Sequence, residues 1–248
     1  MTTRIPASNQ CSHRRSFLKA AGAVAVAGTL LSAGTALAAD KPKIGIIGSG
    51  KVGSALGRAW VGAGYEVLFS SRNLDNDKKL AADIGAHAHA GTPQEAAAFA
   101  EVILVAVPYG ALPDLGKSLG GTLKGKVVID ASNPFPQRDG EIGNTARERG
   151  AGIVSAELLP GARIVRAFNA IGAARMGSMH EDPGKVGLPI AGDDKKAIEI
   201  ASRLIRDIGF VPVLVGGLDK GKYLIPGTPL AGEHTPDEIR KITATLQP

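Results

Sequence analysis

An α/β architecture, a mostly parallel sheet with helices on both faces, follows from three features of this 248-residue chain. A short apolar run at 44–47 passes directly into Gly48-Ser49-Gly50-Lys51-Val52-Gly53, a G-x-G-x-x-G turn placed after a strand and before a helix. Short apolar runs then alternate with segments of helical period along the chain, the pattern of strands joined by crossover helices. A hydrophobic content of 44% is enough to build the core of one large α/β domain, or of one domain with a small lobe. Together these predict a Rossmann-type, doubly wound sheet.

The glycine stretch carries the first functional expectation. Gly48 allows the tight turn, Gly50 lets a pyrophosphate approach the backbone, and Gly53 lets helix and sheet pack closely. With Ser49, Lys51 and Val52 between them, they form the start of a helix whose free N–H groups and positive dipole end favour phosphate. Val52, Ala55, Leu56, Ala59, Trp60 and Ala63 give that helix one apolar face, and Gly62 and Gly64 end it. Residues 65–69 supply the second strand. Beyond it, where NAD-specific folds place an acid for the ribose 2′-hydroxyl, the chain has Ser70, Ser71, Arg72 and Asn73. With no carboxylate at that tip to repel a 2′-phosphate, and a hydroxyl and a guanidinium to bind one, NADP(H) is expected over NAD(H). Lys78 and Lys79, in the next helix, read either as solvated charges or as a second positive charge toward that phosphate.

Further elements follow in order. Residues 74–84 read as a helix closed by Gly85. The segment 87–90 is extended, with His87 and His89 on one side; two histidines without a third ligand do not make a metal site, and none is expected. Thr92, Pro93 and Glu95 form a capping box that opens a short helix to residue 100. Residues 102–107 form a wholly apolar strand, as in the middle of a parallel sheet. Pro108 and Tyr109 stand at its carboxyl end, where ligands bind in open α/β sheets; Tyr109 either lies against the cofactor or packs the loop. A helix at 110–119, a strand at 127–130 and the loop Ala131-Ser132-Asn133-Pro134-Phe135 come next. A helix over 144–159, strands at 164–168, 186–191 and 210–215, and a helix with Ala197, Ile198, Ala201, Leu204, Ile205 and Ile208 on its apolar face complete the main domain. A Gly- and Pro-rich tail, 216–248, ends in a helix capped by Thr235 and Glu238.

The first 38 residues read differently. Arg14-Arg15-Ser16-Phe17-Leu18-Lys19 precede an Ala/Gly/Val/Leu run ending in Ala36-Leu37-Ala38, a small-x-small cleavage site. The paired arginines resemble a twin-arginine export signal, although His13 stands where that pattern has Ser or Thr. Cleavage after Ala38 lowers the formal net charge from +6 to +2, because Arg4, Arg14, Arg15 and Lys19 leave with no acid. No basic surface for nucleic acid is then indicated. Cys11, the only cysteine, leaves too, which removes disulfides and thiolate metal sites from the mature chain. The expected organisation is a signal at 1–38, a dinucleotide-binding domain at 39–215 and the tail. The twin-arginine export machinery is the implied partner, the implied location is periplasmic or otherwise exported, and a homodimer is left open.

IGIIGSGKVGSALGRAW, LFSSRN, VILVAVPYG, VVIDASNP and VRAFNAIGA, in this order over roughly 43–215, resemble the NADP oxidoreductases dependent on the deazaflavin coenzyme F420. The same fold forms the reductase domain of six-transmembrane metalloreductases. The resemblance implies hydride transfer between NADP(H) and a flavin-like or deazaflavin small-molecule acceptor. It implies that Ser49, Ser71 and Arg72, with Asn73 beside them, hold the 2′-phosphate side. Ala106, Val107 and Pro108 would lie along the ribose and pyrophosphate, and Asn133, Pro134, Phe168 and Asn169 around the nicotinamide. The tail does not align with the family. No catalytic acid or base is named, since hydride transfer between stacked rings needs none. The Tyr-x-x-x-Lys of short-chain reductases is absent: Phe69, Pro113 and Gly227 follow Tyr65, Tyr109 and Tyr223. The long helical second domain of hydroxyacid dehydrogenases has no counterpart in a chain of this length. A non-catalytic NADP-binding sensor or partner subunit is the alternative, because fold alone does not fix function.

Overall fold

The computed structural model describes residues 41–178 and 183–246. The proposed signal and its cleavage site at Ala38 lie outside the described residues. Eight strands form one sheet: β1 (Ile44–Ile47), β2 (Val67–Ser70), β3 (Ala88–Ala90), β4 (Val102–Val105), β5 (Val127–Asp130), β6 (Arg163–Arg166), β7 (Gly187–Gly192) and β8 (Val211–Gly216). Their spatial order is β3-β2-β1-β4-β5-β6-β7-β8. Every neighbouring pair is parallel except β6 and β7, which run antiparallel. The doubly wound sheet is therefore as the strand and helix alternation requires.

Strand side chains alternate between two cores. Ile44, Ile46, Val67, Phe69, Leu104 and Ile129 face one layer, where Trp60, Leu204 and Phe210 are buried. Ile47, Ile103, Val105 and Val128 face the other, with Tyr109, Leu112 and Leu119. The first layer is built by α1 (Lys51–Gly62) and α8 (Lys195–Asp207); α2 (Leu74–Ile84) flanks α1. The Trp60 indole N–H donates to Leu204 O at 3.0 Å, so the one polar atom of this large side chain is satisfied inside the core. The second layer is built by α3 (Pro93–Phe99), α4 (Leu112–Leu123), α5 (Pro136–Arg149) and α6 (Ala151–Leu158). Both expected capping boxes are formed, by Thr92 with Glu95 and by Thr235 with Glu238.

Two expectations are corrected. The single helix at 144–159 is two helices that begin earlier, at Pro136, with a kink at Gly140 (φ 60°) and a break at Gly150 (φ 101°). Glycine at positive φ interrupts the helical ladder there without steric penalty. The strand expected at 102–107 ends at Val105, because Ala106 and Val107 leave the sheet to border the glycine turn. After the one-turn α7 (Ala173–Met176) and the β7-α8-β8 unit, the tail folds back over the sheet edge. A 3₁₀ turn, Leu218–Tyr223, packs on α6, and α9 (Pro236–Thr245) covers β7 and β8 with Ile239 buried. Among the described residues no helix is long and apolar enough to cross a membrane.

Candidate functional site

Strand order reverses between β1 and β4, and the crevice outside their carboxyl ends is where a doubly wound sheet binds its ligand. The glycine turn sits in it. Gly48 has φ 103°, and a Cβ there would collide with Ala106 O; a Cβ on Gly53 would collide with Gly48 O. At Gly50, by contrast, nothing lies within 4 Å of where a Cβ would be. Two glycines are thus required by the protein's own packing, and the third leaves space for a ligand. The amides of Gly48 and Ser49 donate to Ser70 O at 2.8 and 3.2 Å, which fixes the turn against the end of β2. Gly50 caps α1 without any side-chain bond, so the first-turn N–H groups at Lys51, Val52 and Gly53 face the crevice unengaged by the helix ladder. Free first-turn amides beside open space are an arrangement that can hold a phosphate.

Just past β2, Ser49 and Ser71 meet on one side chain, and Arg72, next in the chain, is exposed and has no ion pair among the described residues. The expectation that no carboxylate stands there is corrected. Asp77, from the first turn of α2, is 0% exposed, and its two oxygens accept the hydroxyls of Ser49 and Ser71. Its place on a helix, 28 residues from Ser49, put it outside any reading of the β2 tip. The only local signal is an acid four residues after Asn73. Asn73 itself is the helix cap, its Oδ1 accepting from Asn76 N at 3.1 Å, which commits its side chain. Lys78 and Lys79 are exposed on α2.

Toward the other end of the crevice, Ala106 and Val107 are half-buried and Pro108 is exposed. Tyr109 packs the loop rather than the crevice: it is fully buried, and its hydroxyl donates to Ala151 O at 2.8 Å beside Ser155 Oγ at 3.0 Å. Burial first, and then the Asp130 charge, push its phenol far above the ordinary tyrosine range. Asn133 and Asn169 are joined, Asn133 Nδ2 donating to Asn169 O at 2.8 Å. Asn169 Nδ2 in turn bridges Asp130 O and Ser132 O at 3.2 and 3.3 Å. The amide oxygens of both asparagines are buried with no hydrogen-bond partner. Among the described residues nothing donates to them, and a carboxamide such as that of nicotinamide would offer a donor. Pro134 is buried beside them.

Phe168 is a correction. Its side chain is 2% exposed, edge-on to Trp60 and Phe210 at 6.1 and 6.0 Å, so it belongs to the core and not to the nicotinamide surround. Its backbone, however, has φ 65°, the only non-glycine positive φ among the described residues. That turn ends β6 and aims Asn169 back across β5. His87 and His89, on the edge strand, both engage Glu66, His89 Nε2 lying 2.6 Å from its Oε2. Concavities lined by Arg58 and Arg206, and by Arg163 and Arg203, lie at the amino ends of the strands, opposite the crevice.

Fold and crevice together define a dinucleotide-binding α/β domain of the oxidoreductase kind. The chain belongs to the coenzyme F420-dependent NADP oxidoreductase family. The family model described as "NADP oxidoreductase coenzyme F420-dependent" matches residues 43–134. The F420-dependent NADP reductase of Methanothermobacter thermautotrophicus is 30% identical over 205 residues, covering 76% of this chain and 87% of that one. Metalloreductase STEAP3 of Rattus norvegicus is 34% identical over 182 residues, 72% of this chain; the chain spans only 35% of that protein. Among solved structures, a hypothetical protein from Sinorhizobium meliloti, SMa0349, is 30% identical with a TM-score of 0.67, covering 78% of this chain and 95% of its own.

Proposed function

We propose that this protein is an exported, NADP(H)-dependent oxidoreductase that passes hydride between the nicotinamide and a flavin, deazaflavin or similar flat acceptor. The observation that carries the reading is the contrast within the glycine turn. Gly48 and Gly53 have no room for a side chain, while Gly50 opens onto free helix N–H groups. Lys51, Val52 and Gly53 would hold the pyrophosphate through their amides, Arg72 a 2′-phosphate, and the asparagine pair the carboxamide. The bound nicotinamide would supply or accept the hydride.

A flavin-like acceptor is favoured by the state of the nearby acids and bases. Tyr109, Asp130 and Arg166, at the ends of β4, β5 and β6, are all fully buried and bonded inward. None is presented to donate a proton to a carbonyl substrate, whereas ring-to-ring hydride transfer relies on proximity and alignment. The acceptor side is bounded by Phe135, 37% exposed with the Arg138 guanidinium 5.0 Å over its ring. It is bounded also by the tail, where Gly232 N donates to Ala170 O at 2.8 Å and Arg175 pairs with Glu233 at 3.1 Å. Export rests on the twin-arginine pattern and Ala36-Leu37-Ala38.

The test is turnover. Purified protein should oxidise NADPH when offered FMN, riboflavin, a deazaflavin or a ferric chelate. A protein that binds NADPH but leaves its absorbance flat with every acceptor would be a binding module and not an enzyme. N-terminal sequencing of protein recovered outside the cytoplasm should begin at Ala39, and a chain still carrying its first 38 residues there would refute the signal.

A further inference from the structure

Asp77 occupies the adenosine corner in a way that bears on which nucleotide the corner prefers. We propose that Asp77 is a specificity-determining residue that weakens the grip on a 2′-phosphate, so that the preference for NADPH over NADH rests on Arg72 alone and is small. The proposal rests on the dinucleotide reading given above. A serine hydroxyl has one proton to donate and two lone pairs to accept with. Ser49 donates its proton to Asp77 Oδ1, and Ser71 donates its own to Asp77 Oδ2 at 2.8 Å. Ser71 Oγ also accepts from Asn73 N at 3.1 Å. With both protons turned inward, what the serines offer the crevice is lone pairs.

A phosphate ester at neutral pH is an acceptor without a proton to give, so these oxygens have nothing to offer it. An unphosphorylated ribose 2′-hydroxyl is a donor, and either serine oxygen suits it. Rotating the hydroxyls outward to reach a phosphate would strip a fully buried carboxylate of its two side-chain donors. It would also bring the phosphate's charge next to a like charge. Arg72 does not relieve this: the side-chain donors to Asp77 among the described residues are the two serines. The exposed guanidinium attracts the phosphate while the buried carboxylate opposes it. In Asp77→Asn the charge is gone, and the amide nitrogen donates to one serine oxygen, which releases that serine's proton to the crevice.

The experiment is a fluorescence titration of NADPH and NADH against the wild type, Asp77→Asn and Asp77→Ser, each checked for an unchanged melting profile. We expect the ratio of NADH to NADPH dissociation constants to rise by about tenfold in Asp77→Asn, with NADH affinity itself changing by less than about threefold. Asp77→Ser guards against a defect peculiar to the asparagine. If both folded variants keep the wild-type ratio, or lose both nucleotides in parallel, Asp77 only braces the turn and the proposal fails. A wild type that binds neither nucleotide would instead overturn the dinucleotide reading and take this proposal with it.

Discussion

Arg166 and Asp130 face each other across β5 and β6 with neither side chain exposed, Arg166 Nη1 lying 2.7 Å from Asp130 Oδ2. The same Nη1 donates to Ser132 O at 2.7 Å, and Asp130 Oδ1 accepts from Ser132 N at 2.9 Å. The pair therefore shapes the loop that carries Asn133. A fully buried ion pair adds little net stability, but removing one partner strands the other charge. Arg166→Met should cost about 3–5 kcal/mol in urea unfolding, and the double variant with Asp130→Leu should recover much of it. A single variant as stable as the wild type would show that the pair is not what holds this loop.

The glycine turn separates packing from binding by position. Gly53→Ala forces a Cβ into Gly48 O and should destabilise the fold, as loss of the thermal transition at its normal temperature would show. Gly50→Ala meets no protein atom within 4 Å and should keep stability to within about 1 kcal/mol. Yet its methyl group fills the cradle, and NADPH affinity should fall at least about tenfold, which is about 1.4 kcal/mol. Unchanged affinity in Gly50→Ala would mean that the pyrophosphate does not pass there.

Arg72 is exposed just past β2 and is assigned in the proposed reading to the 2′-phosphate. Arg72→Ala should weaken NADPH binding by about 1.5–3 kcal/mol, the range for a hydrogen bond to a charged group, and leave NADH nearly untouched. Equal losses for both nucleotides, measured side by side, would remove the arginine from the 2′ position.

Features set by local chemistry could be read directly from the chain. The glycine turn, the capping boxes at Thr92 and Thr235, and the alternation of strand and helix all depend on residues within one turn or one strand of each other. What could not be read depends on distant approach. Asp77 meets Ser49 across 28 residues and Asp130 meets Arg166 across 36, and neither contact leaves a periodic trace. The burial of Phe168 is hidden in the sequence for a different reason. Its positive φ breaks the two-residue alternation of β6, so that Ala167 and Phe168 both enter the same core layer.

The Asp139 carboxylate gives the loop a pH dependence. Its side chain is 1% exposed, and burial alone would push the carboxyl up. The Arg138 guanidinium and the amides of Phe135 and Gly110 outweigh burial and hold it below the ordinary value. A carboxyl depressed in the folded state contributes stability that is full above its unfolded value of about 3.9 and vanishes as pH falls through the folded one. Asp139→Asn should therefore be less stable than the wild type at neutral pH, and the two denaturation curves should converge in acid. A gap that widens on acidification would reverse the assigned sign.

Phe135 is one of two large apolar side chains left exposed among the described residues, and it stands two residues after Asn133, which is proposed to border the nicotinamide. Held by Asp139 through its amide at 2.8 Å and covered on one side by Arg138, its ring is a fixed surface rather than a free one. A flat conjugated acceptor gains from such a surface by stacking, worth about 0.5–1.5 kcal/mol beyond the area it covers. Phe135→Ala should raise KM for a flavin or deazaflavin roughly three- to tenfold by that measure, while the NADPH dissociation constant stays as in the wild type. A parallel loss of NADPH binding would place Phe135 in the cofactor site and move the acceptor elsewhere.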